Sequence, residues 1–63
     1  MSTMNVITEI DRWLKKTGMK PSRLGLLTTA NPKAVERVRN GTAQVKTLEA
    51  ILAYIRSHPN GEG

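Results

Sequence analysis

The chain has no cysteine and no phenylalanine, and it has one histidine, one tryptophan, one tyrosine and five acidic residues among 63. Without cysteine there is no disulfide, no zinc–thiolate cluster and no thiol nucleophile. His58 has no second ligand type beside it and no evident acid partner. The acids are scattered, and no glycine-rich phosphate loop or metal-spacing motif occurs. No enzyme, metal, cofactor or small-molecule ligand is therefore expected. No run of about 18 apolar residues exists, so no membrane span is expected. The N-terminus lacks a basic region followed by an apolar run, which predicts no secretory signal and a cytoplasmic protein. A chain this short suits one domain with a small core, burying only about 60% of the surface its unfolded form exposes.

Positive charge is abundant: ten Lys and Arg against five Asp and Glu give +5 and a pI near 10.3. From Arg12 to Lys46 nine basic residues meet a single acid, Glu36. Glu9 and Asp11 precede that block, and Glu49 and Glu62 follow it. Such a block suits a polyanion, although charge alone also describes an ordinary solvated surface.

The block covers residues 21–41, PSRLGLLTTANPKAVERVRNG. Pro21 suits the first position of a helix running to about Thr28. Lys20 would be its N-cap, and a poor one. Pro32 suits the start of a second helix, with Asn31 as its N-cap. The short link 28–31 forces the two helices to meet at a sharp angle, the geometry of a helix-turn-helix. Leu24 and Thr28 share one face of the first helix, and Val35 and Val38 one face of the second. Gly25 falls where the helices must cross closely, and Ala30 sits in the turn. An ordinary helical hairpin is the plainer reading of the same pattern.

Leu24, Gly25, Ala30, Val35 and Val38, at this spacing, resemble the helix-turn-helix of the Cro/repressor (XRE) family. The resemblance covers 21–41 well and the remainder loosely. Two positions depart from it. The family usually has glycine where this chain has Thr29, so Thr29 must take a left-handed backbone angle, or the turn has another shape. The family often has a DNA-contacting glutamine where this chain has Pro21, so that contact is absent here. The resemblance implies a compact bacterial or phage regulator, more often a repressor, that is nucleoid-associated.

Around the motif, Val6, Ile7, Ile10, Trp13 and Leu14 recur at helical steps and predict a helix over about 5–16, capped by Thr3 or Asn5. Trp13 reads as a core anchor rather than a base-stacking residue. Gly18 and Gly41 suit left-handed helix ends. Residues 42–46 read as a polar connector, and Thr47 as the cap of a helix over 48–57 with Leu48, Ile51, Leu52 and Ile55 buried. The expected fold is all-α, a lambda-repressor-like helix-turn-helix domain of four or five helices over 1–58, with a flexible tail over 59–63.

The face opposite Val35 and Val38 carries Lys33, Glu36, Arg37 and Asn40. Arg37 can pair with both major-groove acceptors of guanine and Asn40 with adenine; Glu36 can accept from cytosine, or simply hold Arg37. Ser22, Arg23, Asn31, Thr42, Gln44 and Lys46 are the candidates for backbone phosphates. Leu26, about 160° from Leu24 on a helical wheel, and Tyr54 are candidate subunit contacts. The expected partner is double-stranded DNA, bound by a homodimer. The alternative is a protein-interaction module that binds through Leu26, Leu27 and Tyr54.

Overall fold

The computed structural model describes residues 3–61, with side chains from residue 5 onward. Four helices follow one another: α1 Thr3–Thr17, α2 Pro21–Thr29, α3 Ala34–Arg39 and α4 Val45–Ser57. No strand occurs among the described residues. α2 packs on α3 and α4, and α1 packs on α4 and α3, enclosing one core. Ile10, Leu24, Val35, Val38 and Ile51 are its most deeply buried side chains. Each such aliphatic contributes about 1.5–3 kcal/mol by leaving water. Val6, Trp13, Leu14, Ala34, Leu52 and Ile55 complete the core, and Leu48 is only partly buried against it.

The apolar stripes are as expected; several helix ends are not. α1 already includes Thr3, so Asn5 is an interior residue rather than a cap. α4 opens at Val45 after Gln44, which makes Thr47 an interior residue and takes Lys46 out of the connector. Gln44 makes no side-chain capping bond. Its first residue, Val45, is largely exposed, so neither a capping side chain nor apolar burial marks this start. Lys20 flanks α2 without a side-chain cap, as its chemistry suggests.

The α2–α3 junction depends on one close approach. A Cβ on Gly25 would lie 2.3 Å from the backbone oxygen of Asn31. The Gly25 carbonyl in turn accepts from the Asn31 N–H at 3.3 Å and from Thr29 Oγ1 at 3.1 Å. The left-handed residue is Ala30, at φ 59°, not Thr29, which ends the helix. The turn thus reverses one residue later than the resemblance implies. Pro32 does not begin regular helix. It sits in a turn closed by Ala34 N–H to Asn31 O at 3.1 Å, and α3 follows. Asn31 is therefore not the N-cap of α3, which is Lys33 without a side-chain cap; its Oδ1 accepts the Lys33 N–H at 3.0 Å and closes the turn ahead of the helix.

Ion pairs and an indole bond tie α1 to its surroundings. Asp11 pairs with Arg39 of α3, and Glu9 with Arg56 of α4 at 3.1 Å. Trp13 Nε1 donates to His58 O at 2.8 Å. Tyr54 meets Trp13 edge-on and stacks on His58 with ring centres 4.2 Å apart. Beyond His58 the chain turns, with Gly61 N–H bonded to His58 O and Gly61 buried beside Thr17. Residues 59–61 of the expected tail therefore form a turn against α1; residues 62 and 63 lie outside the described residues.

Gly25→Ala should lower stability by about 1–2 kcal/mol, because crowding against a backbone atom exceeds the gain in helix propensity. Ala30→Gly should raise it by about 0.5–1 kcal/mol by relieving the left-handed strain, whereas Thr29→Gly should lower it. Thermal unfolding followed by circular dichroism reads all three. Equal melting temperatures for the glycine pair would mean that the turn does not reverse at Ala30.

Candidate nucleic-acid interface

α3 is short, and its position is fixed from three sides. Ala34, Val35 and Val38 bury one face, and Arg39 is held at the α1 edge by Asp11. The helix end is locked by Gly41, at φ 75°. Gly41 N–H reaches Val38 O at 3.1 Å and Thr42 N–H reaches Arg37 O at 2.9 Å, the paired bonds of a Schellman ending. Thr42 Oγ1 adds a second bond to Arg37 O, at 3.3 Å. The backbone beneath Arg37 is thereby held firmly while its side chain stays in solvent.

Lys33, Glu36, Arg37 and Asn40 are all exposed. Their spacing of three and four residues places them on one outer face, away from Val35 and Val38. Among the described residues no ion pair joins Glu36 to Arg37, so the acid does not position the arginine here. Both side chains are free to meet a partner.

Beside that face lies a recess of about 220 Å³. Asn31, Arg37, Thr42 and Gln44 line it together with Ala34 and Thr47. Four of the sequence candidates thus converge on one hollow between the start of α3 and the start of α4. Gln44 also borders a shallower hollow with Thr29, Lys46 and Thr47. Lys46, now on the first turn of α4, joins the group through it. Ser22 and Arg23 do not. They sit on the first turn of α2, and Arg23 lines a separate cleft with Lys20, Thr17 and Asn60.

Leu26 is 52% exposed and Leu27 40%, on the outer side of α2. Tyr54 is half-buried between Trp13 and His58, which leaves little of its ring for a partner. Val45, 68% exposed on the first turn of α4, is an apolar surface residue that sequence reasoning missed. Its only signal was a valine inside a polar connector.

Among the described residues, no group of three or more His, Cys, Asp or Glu could hold a metal and no helix is long and apolar enough to cross a membrane. No family model, curated protein or solved structure matches the chain.

Asn31→Ala should cost about 1 kcal/mol of stability through loss of the turn bond from the Lys33 N–H. Asn31→Asp, which keeps an acceptor, should recover most of it in urea titration. If Asp and Ala behave alike, that bond contributes nothing to holding α3.

Proposed function

We propose that this protein binds duplex DNA sequence-specifically as a small bacterial or phage transcriptional regulator, more readily a repressor than an activator. In this reading α2 and α3 are a helix-turn-helix of the lambda-repressor-like type within a cytoplasmic, nucleoid-associated protein. One observation carries the reading. The exposed outer face of α3, with Lys33, Glu36, Arg37 and Asn40, adjoins a recess lined by Asn31, Thr42 and Gln44. The outer face combines hydrogen-bonding groups of both polarities, which reading base edges needs and blind phosphate binding does not.

α3 enters the major groove, which is about 12 Å wide and admits a helix. α2 crosses the backbone above it. Arg37 addresses guanine through two donors and Asn40 addresses adenine. Thr42, Gln44 and Lys46 hold phosphates on one side of the groove, and Ser22 and Arg23, at the far end of α2, hold them on the other. Asn31 serves the turn first and can touch a phosphate only with its remaining amide hydrogens, because its oxygen is engaged by Lys33.

A homodimer fits the dimensions. The domain measures 29 Å along its longest axis, and half-sites one turn apart lie about 34–36 Å centre to centre. Two domains would meet only at their edges, through exposed Leu26 and Leu27, with a contact too small to hold a dimer firmly off DNA. The same leucines, with Val45, favour the second reading, a protein-interaction module on this scaffold. That module would show little salt-dependent retention on DNA.

Arg37→Ala should lose about 1–3 kcal/mol on the preferred duplex and relax base choice at one position. Lys46→Ala should weaken all duplexes alike and reduce the salt slope by about one. The ratio of specific to random-site affinity, at one salt concentration, separates the two. If both variants keep that ratio, α3 is not the reader. Sedimentation on a palindromic site should give two chains per site; saturation at one chain would rule out the dimer.

A further inference from the structure

The strongest charge outside the α3 face lies on α1. Arg12, Lys15 and Lys16 are exposed and span about 100° of its circumference, centred roughly 150° from the buried stripe of Val6, Ile10, Trp13 and Leu14. The nearby acids are turned off this crest. Glu9 lies on the flank facing α4, where it holds Arg56. Asp11 lies on the flank facing α3, where it holds Arg39. Among the described residues no ion pair engages Arg12, Lys15 or Lys16. The protein therefore has two cationic faces, on α1 and on α3, with the neutral Asp11–Arg39 pair between them.

We propose that the α1 crest grips the phosphate backbone of a second DNA duplex, so that one protein bridges two segments. This rests on the reading of α3 as the DNA reader. The chemistry of the crest favours a polyanion over a protein partner. The large exposed apolar residues Leu26, Leu27 and Val45 are on α2 and α4, and none is on α1. A protein interface needs an apolar or aromatic centre, whereas a phosphate backbone needs only mobile cations. The crest also lacks the acids and amides that read bases, apart from Asn5 near the start of α1, so the second grip is indifferent to sequence. The Asp11–Arg39 seam separates the faces, so a duplex seated on α3 leaves the crest open to another.

The test uses the full chain and two duplexes. One, biotinylated, carries the selected site; the other, fluorescent, has a random sequence. Co-capture on streptavidin measures bridging, and anisotropy measures binding of one duplex alone. The parent should co-capture. Three phosphate contacts predict that this second grip weakens about 40-fold between 50 and 200 mM salt. Arg12→Gln/Lys15→Gln/Lys16→Gln should keep the specific-to-random ratio on a single duplex, lose less than about threefold in that affinity, and lose about tenfold or more in co-capture. Lys15→Gln/Lys16→Gln, a milder change, should show the same pattern to a smaller degree, with helicity checked by circular dichroism. Bridging that survives in the triple variant would place it on paired α3 helices and overturn the proposal. So would a variant that loses single-duplex binding together with co-capture, which would seat the crest on the same duplex. A parent that binds one duplex without co-capturing another overturns bridging and leaves the α3 reading intact. A parent that binds no duplex overturns both.

Discussion

The carbonyl oxygen of Asn31 occupies the space where a side chain on residue 25 would stand. That contact sets the angle between α2 and α3, and much else depends on it. It brings Ala34 over α2 and lets Val35 and Val38 reach the same core as Leu24. Once those three residues are buried, the remaining face of a short helix has nowhere to go but outward. The prominence of Lys33, Glu36, Arg37 and Asn40 is thus a consequence of packing at Gly25. Any residue larger than glycine there must displace backbone rather than the end of a flexible side chain, so the site and the fold share one weak point.

Most of the core was legible because burial follows period. Ile10, Trp13 and Leu14 on α1, and Ile51, Leu52 and Ile55 on α4, repeat at steps that only a helix can bring to one side. Gly18 and Gly41 were legible for a similar reason, since both end helices at positive φ. The turn was harder. The resemblance left two choices, a left-handed Thr29 or a turn of another shape, and the second holds, because threonine is branched at Cβ and tolerates that region poorly. Alanine next door is the cheaper choice, and Thr29 stays helical, with its hydroxyl bonded to Gly25 O. The start of α4 was misread because Thr47 looks like a cap. The helix begins three residues earlier than expected, at Val45, soon after the backbone leaves the Gly41 turn. Ala34 escaped notice because a methyl group contributes little to an apolar pattern, although it is almost wholly buried.

The candidate site was legible as a face but not as a neighbourhood. Helical spacing alone groups Lys33, Glu36, Arg37 and Asn40. It cannot reveal that Thr42 and Gln44 close around Arg37, because that depends on the chain doubling back after Gly41. Nor can it reveal which cations are already spent. Arg39 and Arg37 look equivalent in sequence, yet one leans on Asp11 and the other meets solvent. The two acids of α1 act as sorters: they retire Arg39 and Arg56 to structural duty and leave the remaining charge on the outward faces.

The indole of Trp13 lies among α1, the Tyr54 ring of α4 and the carbonyl of His58. It is the chain's single tryptophan, so the molecule carries one natural optical probe in a place where three segments meet. Its emission would register the loosening of the C-terminal turn or the parting of α1 from α4 as a red shift, because water would then reach the ring. Events confined to the outer face of α3, on another helix, would leave that emission unshifted. The same fluorophore can therefore serve as a label-free monitor of the packing that holds α1, α4 and the C-terminal turn together.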